Sequence, residues 1–252
     1  MKKKRFYSTI TILALSLCTL FAQKEAIDEA NKLYKAGNYQ AAAMHYEDIV
    51  QKYGVSAELY YNTANAYYKT GEVGRSILNY ERALRLAPNY DDAEANLELA
   101  QTKIVDNIVQ VPPFFVKRWI DNIIKLLSID QWYVLSVILL IITLSCFLFF
   151  IFGNSMIIRK ITFYAAFILL AITVVTIIFT SVRHNQLMNH NEAIIMSGTV
   201  TIKSSPDKSG TDLFQLHEGT KVSIKSALDQ WIEIKVGNGN IGWIEAKDIE
   251  KI

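Results

Sequence analysis

Two long stretches without a charged residue constrain this chain more than any other feature. No charge occurs between positions 130 and 159, and none occurs from 161 to 182. A helix of about 20 residues crosses a hydrocarbon core of about 30 Å, so each stretch is long enough to span a membrane. We therefore predict transmembrane helices at 132–152 and 161–182. The alternative, buried core helices of a soluble protein, is disfavoured by their length and by Trp132 at the expected membrane interface.

The first 22 residues predict a secretory signal. They combine a basic start with an apolar stretch from Ile10 to Phe21 and a small residue, Ala22, before the expected cleavage point. An uncleaved anchor and a lipoprotein signal at Cys18 are the alternatives, and Leu17 disfavours the second of these. Whether the signal is cleaved or retained as an anchor, residue 23 onward is exported.

Export of residue 23 onward and two later spans predict that both flanking segments lie on the outer side. The tight turn expected at 153–160 contains Arg159 and Lys160, which suit a cytoplasmic position. Basic residues on the other flanks of the spans make this charge signal ambiguous by itself. The predicted orientation therefore depends on the signal.

An amphipathic helix is predicted just before the first span, within a linker segment at 111–131. Its apolar residues recur at helical spacing opposite its charged ones, and Pro112 and Pro113 interrupt the preceding helix. The apolar set is Phe115, Trp119, Ile123, Leu126 and Leu127, and the charged set is Lys117, Arg118, Asp121 and Lys125. This pattern is typical of a helix that lies in the membrane interface. Ser128 and Gln131 have the spacing of a capping box that opens the first span.

Charge disfavours a nucleic-acid partner. The 252-residue chain has a formal charge of +2, but residues 23–110 hold 9 bases against 13 acids and residues 192–252 hold 7 against 9. The basicity therefore belongs to the signal and the membrane segments. Nucleic-acid binding depends on clustered cations that meet phosphates, and neither soluble segment provides them.

A period of 34 residues runs through positions 23–90. It relates Ala30 to Ala64, Tyr34 to Tyr68, Gly37 to Gly71, Tyr46 to Tyr80, Asn31 to Asn65 and Lys35 to Lys69. This pattern resembles the tetratricopeptide repeat, with Pro88 at the family's closing proline. The resemblance implies helical hairpins at 23–56 and 57–90, followed within 23–110 by a capping helix from Asp91 to about Val109. Gly54, Thr63 and Ser76 depart from the family pattern.

Two repeats are few for such a solenoid, which we expect to depend on its capping helix, the membrane or a partner. In this family the first helix of each hairpin lines a groove that binds peptides. The repeat register assigns Ile27, Asn31, Tyr34 and Lys35, then Tyr61, Asn65, Tyr68 and Lys69 to that face. The asparagines and lysines would hold a peptide backbone and a carboxylate, and the tyrosines would cover its side chains. The alternative is that the tyrosines pack between helices and the polar residues are simply solvated.

The residues at 192–252 change to a period of two, which predicts half-buried strands. The alternating apolar residues are Ile194, Met196, Val200, Ile202, Val222, Ile224, Ile232, Ile234 and Val236, and residues 237–240 predict a hairpin turn. Together with Glu218-Gly219-Thr220, Trp231 and Gly242-Trp243-Ile244, the order resembles the bacterial SH3-like domain, a small all-β barrel. The resemblance implies a peptide or cell-wall ligand. Trp231 and Trp243 are candidates for its surface, although core packing is the favoured role for them.

Catalytic chemistry is not predicted. The four histidines are scattered, no metal-binding spacing occurs, and the two cysteines, Cys18 and Cys146, lie in the signal and in a span. We expect no catalytic residue, no metal and no cofactor.

The predicted fold is therefore multidomain: a tetratricopeptide solenoid, a transmembrane helical hairpin and an SH3-like barrel. This order resembles the BatE proteins of the Bacteroidetes aerotolerance operon. The resemblance implies a bacterial inner-membrane scaffold with both soluble domains in the periplasm, and Bat-type partners, some with von Willebrand A-type domains, in resistance to oxidative or envelope stress. The alternative is a membrane-bound sensor whose SH3-like domain binds peptidoglycan.

Overall fold

The computed structural model describes residues 22–106, 108, 114–188 and 191–252. They form two compact units. The first unit joins the described residues up to Leu86, those from Tyr90 to 108 and the C-terminal segment from Asn191. The second contains Ala87–Asn89 and residues 114–188. The predicted signal lies, except for Ala22, outside the described residues.

Five helices form the repeat region of the first unit. They are α1, described over 22–35, α2 (Tyr39–Tyr53), α3 (Ala57–Thr70), α4 (Val73–Leu86) and α5 (Asp91–Gln101). Ala30 and Ala64, which are 34 positions apart, are completely buried, because small side chains let paired helices approach closely. Gly71 ends α3 with φ at 87°, a left-handed conformation that glycine adopts without strain. These features confirm the predicted helical repeat region.

A buried tyrosine joins three of these helices. The Tyr67 hydroxyl in α3 donates to Glu47 Oε1 in α2 at 2.7 Å and accepts from Arg75 Nη1 in α4 at 3.0 Å. Burial, followed by the hydrogen bond to Glu47, raises the pKa of Tyr67 to about 12. Tyr67 therefore links α3 to both α2 and α4 by hydrogen bonds.

Helix α5 follows the second hairpin, as predicted for the capping helix, but it is shorter than predicted. Its first turn carries Asp91, Asp92 and Glu94 near the positive end of the helix dipole. The helix ends at Gln101, well before the predicted end near Val109, a residue outside the described part. Five residues after the helix, Asp106 makes three hydrogen bonds to the C-terminal segment.

The second unit contains helices α6 (Phe115–Lys125), α7 (Ile129–Phe152) and α8 (Met156–Met188). Ser128 Oγ accepts from the Gln131 N–H at 3.3 Å, and Gln131 Oε1 accepts from the Ser128 N–H at 2.9 Å. The predicted capping box at the start of α7 is therefore confirmed. Both α7 and α8 are long and apolar enough to cross a membrane.

Helix α8 extends beyond the predicted 161–182 at both ends. Because it begins at Met156, Arg159 and Lys160 lie inside it, and the connection to α7 contains only residues 153–155. It also continues beyond residue 182, as far as Met188. Lysine, arginine and glutamine are good helix formers, so polar turns prolong the helix past the apolar stretch.

Hydroxyl groups line the contact between α7 and α8. The Ser136 and Thr180 hydroxyl oxygens lie 3.5 Å apart, and those of Thr143 and Thr173 lie 3.4 Å apart. The two pairs are two helical turns apart, so the antiparallel helices stay in contact along this face. Small polar residues permit close helix approach, as in membrane helix pairs. Large apolar side chains such as Phe149 point outward and are exposed.

Seven antiparallel strands form the C-terminal sheet. They are β1 (Glu192–Ile195), β2 (Thr199–Lys203), β3 (Asp212–His217), β4 (Lys221–Leu228), β5 (Trp231–Val236), β6 (Ile241–Glu245) and β7 (Ile249–Lys251). Ile202, Ile234 and Ile244 are at most 1% exposed and form part of its core. The alternating residues predicted to form strands lie in strands, except Met196, which follows the end of β1, and the turn at 237–240 joins β5 to β6.

The sheet is open, so the predicted barrel is not confirmed. Its strand order is β3-β2-β6-β5-β4-β1-β7, and the terminal strands β3 and β7 do not pair with each other. Each terminal strand instead contacts another part of the same unit. His217 at the end of β3 hydrogen-bonds to Asp106, and Glu250 of β7 forms an ion pair with Arg82 of α4. These contacts with the repeat region engage both edges of the sheet.

Candidate functional site

The predicted groove residues lie on α1 and α3, the first helices of the two hairpins. Asn31 and Asn65 occupy equivalent positions. Tyr46 donates its hydroxyl hydrogen to Asn31 Oδ1 at 2.6 Å, and Tyr80 donates to Asn65 Oδ1 at 2.5 Å. Each asparagine thus joins the two helices of its own hairpin. The amide oxygens that were predicted to hold a peptide backbone are already occupied by buried tyrosines.

Helix α5 covers part of the predicted face on α3. Asn96 of α5 donates to the Tyr61 hydroxyl at 3.2 Å and to Asn65 Oδ1 at 3.0 Å. The Tyr61 ring also lies 4.9 Å from that of Tyr90 and 6.1 Å from that of Tyr80, between ring centroids. Tyr61 therefore packs between helices, in agreement with the alternative interpretation, whereas Asn65 joins helices by hydrogen bonds instead of being simply solvated.

The open part of the predicted face lies toward the C-terminal ends of α1 and α3. Tyr34 and Tyr68 are half-buried there, and Lys35 and Lys69 are exposed. Tyr34 packs edge-on against Tyr39 with ring centroids 5.1 Å apart. Burial, followed by the nearby hydroxyls of Tyr39 and Tyr61, raises the pKa of Tyr34. Aromatic surface beside exposed ammonium groups suits an extended peptide with an acidic side chain.

Helix α5 and the turn after it contribute two residues that the prediction missed. Asn96 is one, and Lys103, whose Nζ lies 4.0 Å from the centroid of the Tyr68 ring, is the other. Lys103 stands 34 positions after Lys69, so an extension of the repeat period into α5 would have found it. No comparable signal marks Asn96, whose role depends on how α5 packs against α3.

The second predicted ligand surface lies on the sheet. Trp231 and Trp243 alternate along β5 and β6 with Ile232 and Ile244 of the main sheet cluster, so the two tryptophans share one face of the sheet. Trp231 is only 6% exposed, whereas Trp243 is half-buried between the strand neighbours Lys203 and Glu233. The burial of Trp231 agrees with the core packing that was favoured for it, whereas Trp243 offers surface to a ligand.

Metal-ligand chemistry is not found in the part of the chain that the structure describes. No group of three or more histidine, cysteine, aspartate or glutamate side chains converges there. The aromatic, amide and ammonium groups on the repeat region suit the binding of an extended peptide.

Two helical hairpins, each joined by a hydrogen bond from a tyrosine to an asparagine at equivalent positions, define a helical-repeat protein. Helical-repeat proteins are a class that binds other proteins. Residues 57–90 match the family model of the tetratricopeptide repeat. The match covers the second hairpin through the loop before α5. No curated protein matches the chain.

Proposed function

We propose that this protein is a non-enzymatic membrane scaffold that presents a tetratricopeptide groove and an SH3-like module on one side of a bacterial inner membrane. One observation carries the proposal. Residues 22–106 and 191–252, which flank the two membrane-length helices, belong to one compact unit. Two spans return the chain to its starting side, so this arrangement lets the flanking segments meet.

The side of the membrane is part of the proposal. The signal predicted in residues 1–22 would export the following segment, and Arg159 and Lys160, near the start of α8, would remain in the cytoplasm. Both soluble segments would then face the periplasm.

Helix α6 supports membrane placement of the second unit. Phe115 and Trp119 share one face and are 71% and 67% exposed, while Lys117 lies on the opposite face. We propose that the apolar face lies in the membrane interface. A nitroxide label at position 119 should be relaxed by oxygen dissolved in lipid, and one at 117 by a water-soluble agent. Equal access of the water-soluble agent to both labels would exclude this placement.

The groove is the proposed protein-binding surface. Its accessible members are Tyr34, Lys35, Tyr68 and Lys69, joined by Lys103. Tethering at the membrane raises the effective concentration of such a module for ligands near the bilayer, so weak contacts suffice. The resemblance in domain order to BatE proteins supports Bat-type partners, including those with von Willebrand A-type domains, and a role in aerotolerance or envelope stress.

Crosslinking in cells followed by affinity capture tests the groove. Lys35→Glu combined with Lys69→Glu reverses two exposed charges without touching the core. Capture of the partner should fall about tenfold or more, because like charges then meet in the groove. Lys52→Glu, an exposed change at the end of α2, is the matched control and should leave capture unchanged. Equal capture by the double variant and the wild type would exclude the groove as the binding site.

A second candidate is a peptidoglycan sensor that uses the outer face of the sheet. The observation that favours it is the half-buried Trp243 on the same face as the buried Trp231. Detergent-solubilised full-length protein should then sediment with purified sacculi, and Trp243→Ala should remain in the supernatant. Failure of the wild type to sediment would remove this candidate and leave the groove proposal standing.

A further inference from the structure

The end of the repeat region has an apolar face that the C-terminal sheet covers. Ile77 and Leu78 of α4 share one buried cluster with Leu97 of α5. Ile194 of β1, completely buried, and Ile252, which follows β7 and is 4% exposed, belong to the same cluster. Both ends of the C-terminal segment thus complete a core that begins in the repeats.

The sheet also supplies a helix cap. Glu218 Oε1 accepts a hydrogen bond from the backbone N–H of Gly74, in the first turn of α4, at 2.8 Å. That turn contains no acidic residue of its own, and its N–H groups lack partners within the helix. A carboxylate at this end also interacts favourably with the helix dipole. A Cβ at position 74 would lie 2.6 Å from Glu218 Cγ, so this approach requires glycine.

Ion pairs continue the contact along α4. Lys221 Nζ lies 2.9 Å from Glu81 Oε2 of α4 and 2.9 Å from Glu192 Oε2 of β1. Burial alone would lower the pKa of Lys221, but these two carboxylates raise it above its ordinary value. Nearer the end of the helix, Arg82 donates to Glu250 Oε1 at 3.0 Å and to the Lys251 carbonyl at 2.7 Å. The sheet therefore follows α4 from its first turn to its last.

Asp106 fixes the segment after α5 to the turn between β3 and β4. Its carboxylate lies 2.7 Å from His217 Nδ1 and accepts from the His217 backbone N–H and the Thr220 hydroxyl, each at 2.7 Å. Burial by itself raises the pKa of Asp106, but the bonds from Thr220 and His217 outweigh it and lower that pKa. Gly219 in the same turn has φ at 87°, and a Cβ there would lie 3.1 Å from Ile77 and 3.2 Å from Ile104.

We infer that the C-terminal sheet is the cap of the repeat region and that Asp106 locks it in place. A short solenoid exposes apolar surface at its end unless a capping element covers it. Here a segment that follows in sequence only after α6, α7 and α8 covers α4 and α5 in place of a further repeat. Because this end is closed, the solenoid is not extended by stacking another repeat on it. The inference does not depend on the proposed binding partner.

Hydrogen exchange of the full-length protein in detergent tests the lock. In Asp106→Ala, amide exchange should become about tenfold faster in both 91–106 and 212–222, because three hydrogen bonds are lost at once. Exchange in α1 and α2 should not change. Asp248→Ala is the matched control, because Asp248 accepts from the Ser197 hydroxyl at 2.7 Å within the sheet segment. Its effect should stay within residues 191–252.

A milder variant covers the case in which Asp106→Ala does not fold. Thr220→Val removes one of the three hydrogen bonds with almost no change of shape, at a residue that is 3% exposed. It should accelerate exchange in the same two segments to a smaller extent. Acceleration in only one segment, or no acceleration in α5 for either variant, would overturn the inference.

Discussion

Glu218 and Gly74 are 144 positions apart in sequence, yet the carboxylate of the first accepts a hydrogen bond from the backbone of the second at 2.8 Å. A side chain of the C-terminal sheet thus caps a helix of the repeat region. Because α6, α7 and α8 lie between them in sequence, the contact restricts how the whole chain is arranged.

Gly74→Ala should add less stability to α4 than the roughly 0.5–1 kcal/mol that glycine to alanine ordinarily adds to a helix interior. The new Cβ would displace Glu218 and remove the cap, which costs about 1 kcal/mol. Hydrogen exchange of residues 73–86 measures the change. In a Glu218→Ala background the same substitution should be stabilising. Equal stabilisation of α4 by Gly74→Ala in both backgrounds would show that Glu218 does not cap the helix.

Asn31→Ala should destabilise the first hairpin by about 1–3 kcal/mol, because the Tyr46 hydroxyl, in a side chain only 2% exposed, loses its acceptor. Tyr46→Phe combined with Asn31→Ala should cost less than the sum of the single changes. Thermal unfolding of the four variants measures the coupling. Lys32→Ala, an exposed neighbour in α1, is the control. Additive effects would show that the two side chains do not interact.

Alkaline pH should loosen the repeat region between about pH 10 and 12. Burial raises the pKa of Tyr46, and burial with the hydrogen bond to Glu47 raises that of Tyr67, each from 10.0 to about 12. A raised folded-state pKa means that the unfolded chain ionises first, so stability is complete below pH 10 and declines as pH rises through the folded values. Phenolate absorbance, followed together with helical circular dichroism, should show late ionisation that coincides with loss of helix. Tyr46→Phe or Tyr67→Phe should remove part of the phenolate absorbance that develops late in the titration. Ionisation of every tyrosine near pH 10 with the helices intact would contradict this prediction.

Thr173→Leu should weaken the contact between α7 and α8. Thr173 is 1% exposed and faces Thr143, so a larger side chain there costs about 1–3 kcal/mol of overpacking. Val174→Leu, at a neighbouring position that is 48% exposed, is the matched control and should be neutral. Unfolding of the protein in detergent by titration with sodium dodecyl sulfate measures both. Equal midpoints for the two variants would contradict the observed helix interface.

Much of the fold follows from local patterns in the sequence. The 34-residue period identifies the repeat helices, the charge-free stretches identify α7 and α8, and Ser128 with Gln131 predicts the cap at the start of α7. Sequence patterns predict least where contacts between residues distant in sequence determine the structure. In the sequence, Asp106 is one more acid in an acidic segment and Glu218 is part of a turn. Neither position indicates which distant element its side chain contacts.

The same reason limits what the sequence predicts of the candidate site. Asn31 and Asn65 recur at the repeat period because both bind a tyrosine within their own hairpins, and periodicity alone does not distinguish that role from ligand binding. The predicted barrel is not confirmed, and closure could not be predicted from the sequence because it depends on which strands pair. In this sheet the edges contact α4 and Asp106 instead of each other.

Labelling of single cysteines tests the central claim, that both soluble segments lie on the same side of the membrane. In a chain whose Cys18 and Cys146 are replaced by serine, cysteines are introduced singly at Gln51 in α2, Lys208 after β2, and Asn154 between α7 and α8. A membrane-impermeant maleimide, added to cells with a permeabilised outer membrane, should label positions 51 and 208. Position 154 should react only after the inner membrane is opened. Labelling of only one of positions 51 and 208, or of position 154 together with both, would contradict the arrangement.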